Sequence, residues 1–98
     1  MCSYAAQANE LISEIETLHT YSEFGNGDVV FTTKVKDAIC YGYWLNPNYG
    51  GSNKVYSALL SAFQTNTKVA LTVSNGVSDQ WPGSTNQYCK LIRVGLSK

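Results

Sequence analysis

The alternation of apolar and polar side chains along the chain predicts a mainly β domain with one helix. Short runs rich in β-branched and aromatic residues are separated by clusters of Gly, Asn, Ser and Pro, a pattern typical of strands joined by turns. Residues 53–65 differ, because their apolar side chains recur at the spacing of one helix face. The predicted apolar face consists of Val55, Leu59, Leu60 and Phe63, widened by Tyr56 and Ala62.

Five strands are predicted around this helix. The first covers about residues 11–22, although Leu11, Ile15 and Leu18 also fit a helical start. The Asn26-Gly27 pair, which tolerates the positive φ angles of a tight turn, separates the first strand from the second. The other predicted strands are residues 29–35, 38–45, 68–73 and 87–96.

The element order β-β-β-α-β-β indicates the fold class, which is mainly β: a five-stranded OB-fold barrel with one α-helix between strands 3 and 4. In such a barrel, closure of the sheet removes exposed strand edges. The alternative architecture is an open antiparallel sheet that is covered on one side by the helix. In both cases residues 1–98 form a single domain, with residues 1–8 predicted as a flexible tail.

The composition excludes two classes of partner. Charged residues are only 14% of the chain and the formal net charge is zero, so the basic surplus that neutralises nucleic-acid phosphates is missing. The apolar runs are far shorter than the roughly 18 residues of a membrane span, and we expect no membrane insertion. A surface built from Ser, Thr, Asn, Gln and Tyr suits neutral, hydroxyl-rich ligands and is common in extracellular proteins.

The three cysteines divide into two groups. Cys40 and Cys89 lie inside predicted strands, whereas Cys2 lies in the predicted tail. This placement favours a Cys40–Cys89 disulfide, which closes a loop of about 50 residues and stabilises the fold by roughly 4 kcal/mol. The alternative is a pair of buried free thiols that pack as small hydrophobic groups. With the disulfide, a small domain of this composition is typical of a secreted protein, in which Cys2 is the thiol left over.

Four segments carry a resemblance to known proteins: Cys40–Leu45, Leu59–Ala62, Trp81–Ser84 and Tyr88–Leu91. They resemble small secreted proteins with a cysteine before a Gly-aromatic-Leu strand and a tryptophan loop before a closing Tyr-Cys strand. In element order the chain resembles the B subunits of AB5 toxins of the subtilase-cytotoxin and typhoid-toxin type. This resemblance implies a secreted OB-fold protein that forms a homo-oligomer, as a pentameric ring, and binds glycans.

Aromatic residues on polar loops are the candidates for such binding. A sugar ring lays its apolar C–H face on an aromatic ring, while its hydroxyl groups bond to polar neighbours. The resemblance also implies glycan contacts around the second strand, next to the first hairpin. The candidate ligand-binding residues are Glu23, Phe24, Asn26, Asp28, Tyr49 and Trp81. Trp81 has a second interpretation, as a plug that folds over one end of the barrel.

Nothing in the sequence predicts catalysis. His19 is the single histidine, and it has neither a nucleophile motif nor a second histidine at metal-ligand spacing, so we expect no catalytic, metal or cofactor site. A glycosidase-like pair of carboxylates stays open as an alternative. We therefore expect a non-enzymatic, lectin-like protein that gains multivalency from oligomerisation. The alternative function is a secreted protein-interaction or inhibitor module that uses the Trp81 loop.

Overall fold

The structure, a computed structural model, describes residues 8–96 as a mixed six-stranded sheet with one helix. The elements are β1 (Ala8–Ser13), β2 (Ile15–Thr20), β3 (Val29–Thr33), β4 (Gly42–Leu45), α1 (Ser52–Thr65), β5 (Val69–Ser74) and β6 (Tyr88–Leu96). The mainly β class and the single helix are thus confirmed. Most of the predicted tail, with Cys2, lies outside the described residues, and Ala8 is already the first residue of β1.

The sheet has six strands instead of the predicted five because the first predicted strand is divided at Glu14. The hydroxyl of Ser13 donates to the Glu14 carbonyl and accepts from the N–H of Val35, at 2.8 and 2.9 Å. The Glu14 carbonyl also accepts from the N–H of Lys34, at 3.0 Å. These bonds satisfy the backbone groups at Glu14, where the chain changes direction. On either side of this corner, β1 and β2 pair with different strands.

The strand order is β1-β5-β6-β4-β3-β2. Neighbouring strands are antiparallel except for β4 and β6, which are parallel. The consecutive strands β2, β3 and β4 form the expected meander. Within residues 8–96, β1 and β2 lie at opposite ends of this order and pair with β5 and β3, not with each other. The hydrogen bonding therefore does not close the sheet into the predicted barrel.

One hydrophobic core lies between the sheet and α1. It consists of Ile15, Phe31, Cys40, Tyr43, Leu59, Ala62, Val69, Leu71, Val73, Cys89 and Leu91. The helix covers the core with Leu59 and Ala62, and Val55 packs at its margin. Phe63, predicted as part of the buried face, is 37% exposed, because the inward face of α1 is centred on its neighbour Ala62. Across the described part of the chain, no helix has both the length and the apolar character to cross a membrane.

The Cys40–Cys89 disulfide is confirmed, with the two Cα atoms 5.6 Å apart. Cys89 lies in β6 opposite Tyr43 of β4, while Cys40 lies just before β4. This strand is shorter than predicted, because the Asp37 carboxylate accepts the N–H groups of Ile39 and Cys40 at 2.9 Å. Such a side-chain turn competes with strand pairing, and regular pairing begins only at Gly42.

Candidate functional site

Five aromatic rings from four parts of the chain form a continuous strip, which we call the aromatic strip. Phe24 and Tyr21, on the turn before β3, lie with their ring centroids 5.4 and 5.6 Å from that of Trp81. Trp81 lies 5.4 Å from Tyr88, at the start of β6. Tyr88 in turn lies 5.5 Å from Tyr41, which precedes β4. Tilted and edge-to-face contacts at these distances are favourable for aromatic pairs.

Trp81 is the buried centre of this strip. Its side chain is only 5% exposed, and its indole N–H donates to Asp28 Oδ2 at 2.7 Å. The absence of a side chain at Gly83 makes room for the indole, since a Cβ there would lie 2.8 Å from Trp81 Cε2. Of the two interpretations of Trp81, this geometry favours the plug, although the tryptophan covers the outside of the sheet together with Tyr21 and Phe24.

Asp28 is the second buried member of the predicted site. Its Oδ1 accepts the side-chain amide of Asn46 at 2.7 Å, and its backbone N–H donates to the Phe24 carbonyl at 3.0 Å. Asn46 also donates to the Gly25 carbonyl at 3.0 Å. Asp28 therefore holds the turn and the Trp81 loop together, and both of its oxygens are occupied by protein donors.

The turn between β2 and β3 is exposed above Asp28. Gly25, Asn26 and Gly27 have positive φ angles of 63°, 67° and 112°, and glycine and asparagine adopt such backbone conformations with little strain. The turn thus presents Glu23, Phe24 and Asn26 at the surface. These three of the six predicted residues are the ones that the structure leaves accessible next to the aromatic strip.

The opposite end of the strip borders a groove of about 560 Å³ on the outside of β2 and β3, which we call the β2–β3 groove. Tyr41 and Tyr88 line it, and Tyr41 is 57% exposed. Its polar lining comprises Glu16, Thr17, His19, Thr32, Lys36 and Asp37. The hydroxyls of Thr17 and Thr32 are hydrogen-bonded across the two strands at 2.6 Å.

Gly42 allows the Tyr88 ring to lie close against β4. A Cβ at this position would lie 2.6 Å from the Tyr88 ring and 2.8 Å from the Phe31 carbonyl oxygen. Burial, with the nearby phenols of Tyr41 and Tyr21, raises the pKa of Tyr88 above its ordinary value of 10.0. Like an ordinary tyrosine, Tyr88 is protonated at neutral pH, and the raised pKa extends this to more alkaline pH, so its hydroxyl can donate a hydrogen bond.

Tyr49 is not brought to the aromatic strip. Its ring lies 6.2 Å from that of Trp44, and the Lys90 ammonium lies over it at 4.8 Å. Trp44 is only half-buried, and it donates its indole N–H to the Asp79 carbonyl at 2.8 Å. This second cluster therefore anchors the loop between β5 and β6.

The sequence reasoning missed Tyr41 and Tyr88 as site residues. Each is a direct neighbour of a disulfide cysteine, since Tyr41 follows Cys40 and Tyr88 precedes Cys89. A disulfide brings the Cα atoms of its cysteines to within about 6 Å, so flanking tyrosines in the two runs were a usable signal that they meet. Within the described residues, no group of three His, Cys, Asp or Glu side chains could hold a metal ion.

Comparison of the chain with protein-family models, with curated proteins and with solved structures gives no significant match.

Proposed function

We propose that this chain is a secreted, non-enzymatic carbohydrate-binding protein. The observation that carries the proposal is the aromatic strip, whose exposed rings run into a groove lined with hydroxyl and carboxylate groups. Its ligand lies along the groove and against Tyr41 and Tyr88. The exposed turn with Glu23, Phe24 and Asn26 provides further contacts at the far end of the strip.

The two kinds of group in this site match the two kinds of surface on a sugar. Exposed aromatic rings such as Tyr41 take the apolar C–H face of a pyranose ring, and they are rigid, so little conformational entropy is lost. The hydroxyls and carboxylates of the groove form hydrogen bonds with the sugar hydroxyls, because a carboxylate oxygen accepts a hydrogen bond and a hydroxyl both donates and accepts. In this proposal Trp81 and Asp28 support the site from beneath and do not touch the ligand.

The fold that we propose is a variant of the OB-fold, of the kind found in the toxin B subunits that the chain resembles. Only Glu14 separates β1 from β2, and the two strands lie at the two ends of the strand order. Counted as one bent strand, they restore the predicted five-strand order with the helix between the third and fourth. The parallel β4–β6 pair supports the same proposal.

A glycan array, followed by titration of the ligands found, tests carbohydrate binding. Tyr41→Ala should weaken binding about tenfold or more. The expectation follows from nucleic-acid bases stacked on aromatic side chains, where removal of the aromatic ring costs on the order of 1–3 kcal/mol. The matched control is Ile39→Ala, because Ile39 is 51% exposed and does not line the groove. If the wild-type protein binds no glycan, or if both variants bind alike, the proposal is wrong.

Self-association into a ring, with five subunits as in the resembled toxins, is the second part of the proposal. The observation that supports it is the number of large apolar side chains exposed on β1 and β6, namely Ile12, Ile92 and Leu96. A ring would turn weak single-site binding of a sugar into useful avidity. Size-exclusion chromatography with light scattering should give about five chain masses, whereas a monomer at micromolar concentration would remove this part and leave single-site binding intact.

One observation favours the alternative function, a protein-interaction or inhibitor module. Val77, near the start of the loop between β5 and β6, is 85% exposed. The loop is held rigid there, because Asp79 accepts from the Trp44 indole and from the Ser74 hydroxyl at 2.8 and 2.7 Å. An exposed apolar side chain on an anchored loop can bury its surface in a pocket of a partner protein, which is favourable because apolar area leaves water. A panel of secreted proteases tests this function: inhibition that Val77→Asp abolishes would support it.

A further inference from the structure

Among the described residues, the charged groups that line the β2–β3 groove include one ammonium, and it is already paired. Among residues 8–96, Lys36 is the only lysine or arginine that lines the groove. Its ammonium donates to Glu16 Oε1 at 2.6 Å and to the Thr33 carbonyl at 2.8 Å. The neighbouring Lys34 is paired in the same way with Glu14, at 2.9 Å. A ligand that enters the groove therefore meets one ammonium, that of Lys36, whose charge is already balanced by Glu16.

Two carboxylate oxygens in the groove, in contrast, accept no hydrogen bond from any side chain or backbone group within residues 8–96. Asp37 accepts both of its backbone hydrogen bonds through Oδ2, which leaves Oδ1 for another donor. Glu16 uses Oε1 for its ion pair, which leaves Oε2. The lining thus holds two carboxylates against one ammonium, and with His19 counted as neutral its net charge is −1.

The net charge of the groove determines its preference for a ligand more than the strength of the Lys36–Glu16 ion pair does. The Lys36–Glu16 pair is exposed on both sides, and an exposed pair contributes little stability. An anionic ligand could therefore capture Lys36 at small cost, but it would still lie beside the carboxylates of Glu16 and Asp37. Like charges in contact at a protein surface repel by about 1–4 kcal/mol, depending on how far water screens them.

We propose that the groove selects neutral saccharides and discriminates against sugars that carry a carboxylate. This inference rests on the proposed carbohydrate-binding function. The free carboxylate oxygens accept the hydroxyl groups of a neutral sugar, and charge-assisted hydrogen bonds of this kind are stronger than neutral ones. The same oxygens repel an acidic sugar, so that attraction to one ligand class and exclusion of the other come from the same two side chains.

Matched pairs of ligands test the inference. One pair is a galactose-terminated oligosaccharide with and without a sialic acid cap, and the other is a glucose oligomer with the corresponding uronic acid oligomer. In each pair the neutral member should bind about tenfold more tightly, which corresponds to about 1.4 kcal/mol. The preference should shrink as the salt concentration rises, because salt screens repulsion between exposed charges.

Two variants assign the preference to the groove. Glu16→Gln and the double variant with Asp37→Asn keep the shape of each side chain, and Asn at 37 still accepts the backbone N–H groups. The ratio of neutral to acidic affinity should fall toward one in both. Glu14→Gln is the control, because Glu14 is paired with Lys34 and does not line the groove. Melting temperatures should confirm that all three variants fold.

The outcomes separate the inference from the function on which it rests. If the wild-type protein binds acidic members as tightly as neutral ones, or more tightly, the inference is wrong and carbohydrate binding stands. If the neutral preference is present but folded Glu16→Gln and the double variant leave it unchanged, the two carboxylates are not its origin and the inference is also wrong. If no saccharide of either class binds, both proposals are wrong.

Discussion

At the scale of single residues, Trp81 is the buried side chain around which the other rings of the aromatic strip pack. Truncation to Ala should reduce the free energy of unfolding by about 3–5 kcal/mol, as for other buried tryptophans. Trp81→Phe keeps most of the apolar contact but removes the indole N–H from Asp28, 2.7 Å away. The loss of one donor to a buried carboxylate should cost about 1–3 kcal/mol. Both values follow from chemical denaturation at neutral pH.

Trp44→Phe is the matched control for this prediction. The Trp44 indole also donates a hydrogen bond at 2.8 Å, but to a backbone carbonyl, that of Asp79, and the ring is only half-buried. Its replacement should therefore cost less than that of Trp81. If Trp81→Ala lowered the free energy of unfolding by less than about 1 kcal/mol, Trp81 would not be a plug, and it would again be a candidate ligand platform.

Substitution to Ala should destabilise the protein at Gly42 but not at Gly50. Gly42→Ala places a methyl group 2.6 Å from the Tyr88 ring and 2.8 Å from the Phe31 carbonyl, and overpacking of this kind costs about 1–3 kcal/mol. Gly50→Ala meets no atom within 4 Å, so it should change stability little or raise it by up to about 1 kcal/mol through the unfolded chain. Thermal unfolding compares the two variants, and equal effects would show that the Tyr88 ring moves aside freely.

The Trp81–Asp28 pair also shows why residue roles were harder to predict than elements. Fifty-three positions separate the two partners, and no local pattern records such a contact. The sequence therefore left the plug and the platform as equal interpretations of Trp81. The phenol of Tyr88, in contrast, was within reach of prediction, because the disulfide that places it could be inferred from the cysteines.

At the scale of elements, α1 shows how far a periodic pattern can be trusted. Its range of residues 52–65 agrees closely with the predicted 53–65, but the pattern was too wide to distinguish the centre of the apolar face from its edge.

Leu59→Ala should reduce the free energy of unfolding by about 2–5 kcal/mol, because Leu59 is completely buried. Phe63→Ala, at the exposed edge, should cost much less in the same denaturation experiment. Similar losses at both positions would place Phe63 in the core after all.

The strands illustrate which element boundaries the sequence could not supply. The pattern of β5 is a simple alternation of buried and half-buried residues, and this strand was predicted to within one residue at each end. The division of the first strand at Glu14 and the late start of β4 at Gly42 depend instead on hydrogen bonds with side chains of Ser13 and Asp37. Polar side chains that bond to the backbone override strand propensity at single positions.

At the scale of the whole molecule, the sheet consists of two antiparallel halves that meet at one parallel seam. One half is β1-β5-β6 and the other is β4-β3-β2. The seam between β4 and β6 is short, from Gly42–Tyr88 to Trp44–Lys90, whereas β5 and β6 pair from Val69–Leu96 to Ser74–Lys90. The helix contacts both halves, through β6 and β2. The disulfide is the covalent link across the seam, next to the groove that we propose as the binding site.

Loss of the disulfide should therefore lower the stability of the whole fold, and the pairing of β4 with β6 should open before the rest of the sheet. With the two cysteines 49 positions apart in the sequence, the chain-entropy model gives a loss of about 4 kcal/mol, or a melting temperature lower by roughly 20 °C for a domain of this size. Reduction of a Cys2→Ser variant, with the oxidised variant as control, measures the change without interference from the third thiol. Hydrogen exchange should show that amides of β4 lose protection before those paired between β5 and β6. Uniform loss of protection, or a shift of less than about 5 °C, would mean that α1 and the continuous β1–β2 segment hold the two halves together without the covalent link.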